Sequence, residues 1–286
     1  MKRSFAFYLM ALPAAVLFFA FHTFPAVQGI FYSFTNWQGF GTYHFVGLKN
    51  YINLFQDSQV LHSYLFSFQF AVVTVIVTNV ISLIVAIGLN ANVKFRQTLR
   101  ALYFVPNILS VIVVSYIFNY IFSYLEPDIA KQLGLTTLAQ NILGSPSWAW
   151  VGIAIVAVWQ AVAFNTILYL AGLQTIPTDL YEASSLDGAN AWKQFWRITF
   201  PLIAPFVTIN MVLTSTGFLQ VFDQIIALTG GGPGDATESI TWLIYNNGFN
   251  GGEFAYQSAN SVIFMIVLVI VAFIQIRFLQ KREVQM

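Results

Sequence analysis

The chain has 286 residues, of which 58% are hydrophobic, 17% are aromatic and only 8% are charged. An ordinary soluble domain carries about 25% charged residues, so this composition excludes a soluble fold, and the aromatic content excludes a disordered chain. The net charge of +1 excludes a basic nucleic-acid-binding protein, and the absence of cysteine excludes thiolate metal sites. The composition therefore predicts a polytopic membrane protein.

Six long stretches without charge predict six transmembrane helices, because a bilayer core needs about 20 apolar residues per helix. Trimmed of their polar, glycine and proline ends, the predicted spans are 6–32, 67–89, 102–123, 150–173, 203–223 and 259–279. The fold class predicted is all-α, with residues 1–286 forming a single transmembrane domain.

The first and third predicted spans each have an alternative. The first could be a cleaved signal peptide, but its apolar run of about 30 residues is longer than the usual 7–15 residues of such a segment. The third could be a re-entrant hairpin, because Pro106 lies near its start. A proline in the first turn of a helix is tolerated, so a spanning helix is preferred.

The basic residues predict the orientation of the chain in the cell membrane. If the N-terminus is cytoplasmic, only Lys49 and Lys131 of the 12 basic residues fall on the outer side. Cytoplasmic segments of membrane proteins carry an excess of Lys and Arg. Both termini are therefore expected in the cytoplasm.

Ionisable residues are rare within the predicted spans, apart from His22 and Asp223. Ion-coupled carriers use buried carboxylates or histidine relays, and no such set is present. Amides, hydroxyls and aromatic rings on the fourth and fifth spans suit an uncharged, polyhydroxylated ligand instead, although such groups also join helices by hydrogen bonds. The candidate path residues are Gln160, Phe164, Asn165, Asn210, Thr214 and Phe218.

Catalytic and nucleotide-binding motifs are absent from the sequence. It contains no GxSxG and no HExxH motif. The glycine-rich run 230–234 lacks the Lys-Ser/Thr pair that follows a phosphate-binding loop. Any source of energy must therefore come from another protein.

The loop 174–201 is the long cytoplasmic segment, and it predicts two short helices. Thr178 or Asp179 can cap the first helix, and Gly188 can end it in a left-handed conformation. Asn190 can cap the second helix, which carries an aromatic stripe of Trp192, Phe195, Trp196 and Thr199. The first helix combines a carboxylate with small residues, which suits either docking to a partner or a surface helix that covers its own protein.

One motif in this loop resembles that of a known family. Glu182-Ala183-Ser184, three residues, Gly188, nine residues and Ile198-Thr199-Phe200-Pro201 resemble the EAA motif, EAA-x3-G-x9-I-x-L-P. This motif belongs to the permease subunits of binding-protein-dependent ABC importers. Ser184 replaces the third Ala and Phe200 replaces Leu, and both changes are mild.

Flanking segments resemble the carbohydrate-importing branch of that family, which includes the maltose and glycerol-phosphate permeases. The matching segments are 12–13 with 24–25, 45–51, 171–177, 187–189 and 229–233. The chain lacks the extra N-terminal helices and the large outer domain of the maltose permease proper.

The resemblance implies the type I ABC-importer permease fold and a transporter subunit with no catalytic site, metal or cofactor of its own. The implied partners are a second homologous permease, an ATPase dimer that binds ATP and Mg, an extracytoplasmic sugar-binding protein and the lipid bilayer, with no nucleic acid. The implied substrate is a sugar, such as an oligosaccharide or glycoside, with a polyol or glycerol phosphate as the alternative.

The resemblance also implies which residues contact the partners. Coupling to the ATPase would use Glu182, Ala183, Ser184, Leu186, Asp187 and Gly188. The binding protein would contact the outer loop at Gly231, Gly232 and Pro233. Competing hypotheses are an ion-coupled secondary carrier, which the missing buried charges disfavour, and a passive six-helix channel.

Overall fold

The computed structural model describes residues 2–91, 94–135 and 140–282, and its secondary structure is helical apart from one bridge between Thr35 and Phe45. The α-helices are α1 Lys2–Phe18, α2 Phe24–Tyr32, α3 Lys49–Leu54, α4 Ser58–Asn90, α5 Arg96–Ile108, α6 Val111–Tyr120, α7 Glu126–Gln132, α8 Ala149–Gln174, α9 Thr178–Leu186, α10 Ala191–Gln194, α11 Phe200–Leu202, α12 Ala204–Leu219, α13 Asp223–Leu228, α14 Ile240–Tyr245 and α15 Phe254–Leu279. The predicted all-α class is confirmed.

Four of these helical stretches are long and apolar enough to cross a membrane. They are Met10–Tyr32, Ser58–Asn90, Ala149–Gln174 and Phe254–Leu279. They coincide with the first, second, fourth and sixth predicted spans. Two bent pairs of helices, Arg96–Ile108 with Val111–Gln132 and Ala191–Leu202 with Ala204–Leu219, bring the number of candidate spans to six.

The third predicted span, 102–123, is not one continuous helix. Helix α5 ends at Ile108, Leu109 is extended at φ −75° and ψ 141°, and the next helix turns away by 90°. Pro106 lies in the last turn of α5, whereas the sequence placed it in a first turn. Proline supplies no backbone N–H and clashes with the preceding turn, which accounts for a helix that stops two residues later.

The fifth predicted span, 203–223, also needs a correction. Helix α12 begins at Ala204 and ends at Leu219, and the new helix α13 begins at Asp223. Gln220 and Asp223, the polar residues near the end of this stretch, therefore lie at helix termini. Charge and unpaired backbone groups are tolerated at such positions.

The chain forms two compact units, and the first comprises Met1–Leu61 and Leu243–Val267. Within it, α1 and α2 continue into each other through the π-helical turn Phe19–Thr23. The hydroxyl of Tyr256 donates to Asp57 Oδ2 at 2.9 Å, and the N–H of Ala255 donates to the carbonyl of Trp37 at 2.9 Å.

The second unit comprises His62–Trp242 and Leu268–Met286. Helix α8 is its most buried candidate span, with 61% of its apolar window buried. A hydrophobic cluster forms where α4 and α8 end, from Ala86, Leu89, Tyr169, Leu170, Leu173, Ile176 and Ile203. We call this set the terminal cluster. Two residues of the loop that carries the EAA-like motif, Tyr181 and Ile198, pack against this cluster.

Candidate functional site

The loop 174–201 folds into the two short helices that the sequence predicts. Gly188 has a φ of +77°, the left-handed conformation expected after α9, and the Asn190 side chain accepts from the N–H of Lys193 to cap α10. The predicted cap of the first helix is wrong. Pro177, with φ −62° and ψ 136°, occupies the cap position, so Asp179 lies in the first turn, where its charge favours the helix dipole.

The predicted coupling residues form the exposed face of α9. Glu182, Ala183, Asp187 and Gly188 are exposed, and Leu186 is 90% exposed. An apolar side chain left almost fully in solvent beside small residues does not cover its own protein. The geometry therefore disfavours the surface-helix alternative and leaves an exposed, small-residue face with the carboxylates of Glu182 and Asp187.

Ser184 points the other way, into the junction between the two short helices. The Gln194 side-chain amide donates to Ser184 Oγ and to Ser185 Oγ, each at 2.9 Å. Both hydroxyls in turn donate to the carbonyl of Tyr181, at 2.9 and 2.8 Å. The role of Gln194 could not be predicted from the sequence, because its contact with Ser184 crosses the turn at Gly188 and follows no helical spacing.

Tyr181 attaches α9 to the rest of the second unit. Its hydroxyl lies 2.9 Å from Thr199 Oγ1, and its ring packs against the terminal cluster. Ile198 and Leu202, which follow the second short helix, pack against the same cluster. A displacement of α9 would therefore reach the ends of α4 and α8 through packed side chains.

The aromatic stripe differs from the predicted one in its last member. Trp192 and Trp196 are 69% and 47% exposed, and their rings lie 5.7 Å apart. Thr199 is buried against Tyr181 instead of lying with them. The π-helical turn Phe195–Thr199 has a wider repeat than the α-helix, which rotates Thr199 away from the stripe.

Most of the predicted path residues line one cavity of about 420 Å³ in the second unit. They are Gln160, Phe164, Asn165, Thr214 and Phe218. Side chains from the bend between α5 and α6 complete the lining, among them Asn107 and Leu109. In the described part of the chain, the cavity lining contains no charged residue.

Two residues that line this cavity, Gln160 and Asn165, carry side-chain amide oxygens. Gln160 is 7% exposed and Asn165 is 3% exposed. Within the described ranges, Gln160 Oε1 and Asn165 Oδ1 are shielded from solvent and have no hydrogen-bond partner. An unpaired buried acceptor costs about 1–3 kcal/mol, which a ligand hydroxyl would offset once a rotation of the side chain turned the oxygen towards the cavity.

Asn210, the sixth predicted path residue, does not line the cavity and is fully buried. The backbone carbonyl of Asn210 accepts a hydrogen bond from Thr214 Oγ1 at 2.7 Å. Thr214 Oγ1 also accepts from Asn79 Nδ2 at 3.1 Å, and Asn79 Oδ1 accepts from the Tyr169 hydroxyl at 2.7 Å. These side chains form a polar network that connects the cavity wall with the terminal cluster.

The glycine-rich loop 230–234 is compact, and its exposed residues are Gly230 at its start and Gly234 with Asp235 at its tip. Gly231 is buried, and a Cβ there would collide with the indole of Trp242. Thr237 Oγ1 donates to the carbonyl of Gly232 at 2.6 Å. Of the three predicted contact residues, Gly232 and Pro233 remain partly accessible, and the exposed tip is Gly234 with Asp235.

Glu238 is a buried acidic residue close to the glycine-rich loop in the sequence. It is 2% exposed, and its Oε2 accepts from Ser63 Oγ at 3.2 Å. In the residues that the structure describes, no group of three or more His, Asp or Glu side chains could hold a metal ion.

Comparison with known proteins places these features in a family. Residues 78–285 match the family described as binding-protein-dependent transport system inner membrane component. The multiple sugar-binding transport system permease protein of Streptococcus mutans is 37% identical over 280 residues, which is 97% of this chain and 95% of that protein. The trehalose/maltose transport system permease protein of Thermococcus litoralis is 38% identical over 229 residues, which is 78% of this chain and 76% of that protein.

Further relatives extend beyond sugars. The sn-glycerol-3-phosphate transport system permease protein of Agrobacterium fabrum is 30% identical over 277 residues, which is 96% of this chain and 94% of that protein. A solved bacterial ABC transporter involved in import of the acidic polysaccharide alginate matches with a TM-score of 0.83 at 22% identity, over 98% of this chain and 96% of that chain. This likeness confirms the predicted ABC-importer permease fold.

Proposed function

The chain belongs to the family of binding-protein-dependent transport system inner membrane components, and on that premise we propose that it carries a sugar across the cell membrane as the permease subunit of an ATP-driven importer. Members of this family are multi-pass transporter subunits that carry no catalytic site.

The observation that carries the sugar assignment is the uncharged cavity at Gln160 and Asn165. Their two shielded amide oxygens suit hydroxyl donors, and the rings of Phe164 and Phe218 in the same lining suit the apolar C–H faces of a sugar. Two relatives bear names of sugar transport systems. An oligosaccharide or glycoside fits this combination of groups.

Glycerol phosphate fits the cavity less well. A relative is named for sn-glycerol-3-phosphate transport, but a phosphate is bound in proteins by Arg, Lys or clustered N–H donors. The cavity of about 420 Å³ has no Lys or Arg in the described part of its lining. A neutral polyol or sugar is therefore favoured over an anionic substrate.

The exposed face of α9 suits an ATPase subunit as the partner. Small residues allow a close approach of backbones, and Glu182 would pair with a basic residue in the cleft that receives the helix. ATP and Mg would bind to an ATPase dimer, a second homologous permease would complete the path, and an extracytoplasmic binding protein would deliver the sugar near the tip at Gly234 and Asp235.

Force from the ATPase would travel along the contacts of Tyr181. A shift of α9 acts on the terminal cluster through this ring. The cluster contains Tyr169, whose hydroxyl holds Asn79, and Asn79 holds Thr214 in the cavity wall. Rigid-body movements of this kind alternate the opening of a path between two sides.

The experiment is uptake of radiolabelled oligosaccharides into proteoliposomes that contain the full complex. We expect uptake to require ATP inside, and Glu182→Lys to abolish it while the protein still inserts. Asn165→Leu should lower uptake about tenfold through loss of a buried acceptor. Thr216→Val is the control, because within the described ranges the Thr216 hydroxyl bonds to its own helix, α12, at the Val212 carbonyl with a distance of 2.8 Å.

Two results would contradict the proposal. Uptake that continues without any ATPase subunit, driven by an ion gradient, would assign a different class of transporter. Equal uptake by Asn165→Leu and the control would show that the cavity does not carry the substrate.

A further inference from the structure

A long apolar groove runs along the second unit between α4, α5 and α8, and it adjoins the cavity of about 420 Å³ at Pro106, which lies in both linings. The volume of the groove is about 920 Å³, and its lining includes Val73 and Val85 of α4, Leu102 of α5 and Ala154 of α8. Val73 and Val85 are twelve residues apart on one helix, which corresponds to about 18 Å. One leaflet of the bilayer core is about 15 Å thick, so the groove has the length of one acyl chain.

Two arginines, Arg96 and Arg100, lie in the first turns of α5, and the groove lining on the same helix begins at Leu99. Arg96, Leu99 and Tyr103 follow one another at helical spacing along the same face of α5, and the last two line the groove. Arg100 lies one turn before Tyr103. Both arginines belong to the segments predicted to be cytoplasmic, so they would meet the inner leaflet.

The two guanidinium groups differ in how they are satisfied. Arg96 donates to the carbonyl of Leu89 and to Asn90 Oδ1, each at 3.1 Å, and thereby closes the end of α4. Arg100 Nε and Nη2 are shielded from solvent without a hydrogen-bond partner in the described part of the chain. Over the same residues, the salt bridge found is Lys131 with Asp128, and neither arginine has a carboxylate partner.

Two shielded guanidinium nitrogens without an acceptor are unfavourable for a charged side chain. An anion with oxygen acceptors would satisfy Arg100, because guanidinium groups bind phosphate with paired, charge-assisted hydrogen bonds. The adjoining groove is apolar, so the anion that fits both features has a phosphate head and a hydrocarbon tail.

We propose that this groove is a binding site for one anionic phospholipid, with its phosphate at Arg100 and Arg96 and an acyl chain along α4 and α8. The charge of the two arginines selects the headgroup. The apolar walls at Val77 and Ile81 hold the chain in a groove that a free phosphate would leave empty. Apart from Pro106, which belongs to both linings, the site uses other residues than the proposed sugar path and the exposed face of α9.

Native mass spectrometry of the full chain, purified in mild detergent, tests the site with defined lipids. We expect more bound phosphatidylglycerol than phosphatidylcholine at equal concentration, and no binding of free glycerol phosphate. Arg100→Gln should reduce retention of phosphatidylglycerol about fivefold, the factor expected for one basic residue at an anionic surface. Arg277→Gln removes a basic residue at the end of α15 and is the matched control.

Filling the groove is the second arm of the experiment. Ala154→Trp should displace the lipid while both arginines remain, and Arg100→Lys should keep part of the preference if Arg100→Gln fails to fold. Equal retention of both phospholipids, or an equal loss with Arg100→Gln and Arg277→Gln, would overturn the proposal. The proposal would also be overturned if Ala154→Trp blocked assembly with a second permease but left lipid binding unchanged. That result would show that a helix of the partner, and not the lipid, occupies the groove.

Discussion

The side-chain amide of Gln194 joins Ser184 across the turn at Gly188, with an N···O distance of 2.9 Å. This bond explains the departure of the chain from the EAA pattern, in which alanine takes the third position. The serine hydroxyl is the group that Gln194 holds, and Ser185 provides a second one at 2.9 Å. The two short helices are thus tied together beside their docking face.

Gln194→Ala should uncouple ATP hydrolysis from transport. Loss of two hydrogen bonds removes about 2 kcal/mol of stabilisation between the helices, so α9 would yield when the ATPase moves. We expect ATP hydrolysis by the complex to persist while sugar uptake falls severalfold. Gln220→Ala is the control, because the Gln220 amide donates to a carbonyl of its own helix at 3.1 Å. An unchanged ratio of sugar to ATP would contradict this prediction.

Tyr181→Phe should weaken the attachment of α9 by about 1 kcal/mol, the usual contribution of one hydrogen bond. The ring stays in the terminal cluster, and only the contact with Thr199 is lost. Tyr181→Ala should cost more, up to about 3 kcal/mol, because the partly buried ring also loses its packing against the terminal cluster. Thermal unfolding in detergent measures both values. Equal melting temperatures of the two variants would show that the ring does not anchor the helix.

Gly188→Val should abolish transport through its backbone conformation. A Cβ at Gly188 meets no atom within 4 Å, but its φ is +77°, where an L-residue costs about 1–2 kcal/mol and a β-branched one more. Asn tolerates this conformation, so Gly188→Asn should keep most of the uptake. The result that contradicts the prediction is equal uptake by the valine variant and the parent protein.

Gly172→Ala should destabilise the chain, whereas Gly88→Ala should not. A Cβ at Gly172 would lie 2.6 Å from the ring of Phe206, and one at Gly88 would meet nothing within 4 Å. Overpacking costs about 1–3 kcal/mol, while alanine in an open helical position gains up to about 1 kcal/mol over glycine. Melting temperatures should therefore shift in opposite directions. A rise for both variants would show that Phe206 moves aside freely.

Gly231→Ala should disturb the outer loop and lower the stimulation of ATP hydrolysis by the binding protein. The substitution forces a Cβ into the indole of Trp242 at a φ of +87°. Gly234→Asn is the control, because Gly234 has a φ of +56° and open space around it. Stimulation that survives Gly231→Ala at full strength would place the docking surface elsewhere.

Composition and charge spacing were sufficient to predict the helical class and the positions of four spans, because long apolar stretches have few alternatives in a bilayer. The EAA-like spacing likewise predicted the turn at Gly188. The bend after Ile108 could not be predicted, since Pro106 is compatible with either end of a helix. The hydrogen bonds of Gln194 with Ser184 and of Asn79 with Tyr169 could not be predicted. The partners do not lie at helical spacing in the sequence and meet only through tertiary packing.

The bend after Ile108 has a consequence for motion. Leu109 and Ser110 have ψ angles of 141° and 128° and connect two helices without belonging to either. Rotation about these backbone torsions would swing one helix against the other without breaking the hydrogen bonds inside them, as a hinge does. Pro106, Asn107 and Leu109 line the cavity of about 420 Å³. Such a hinge would therefore change the width of that cavity.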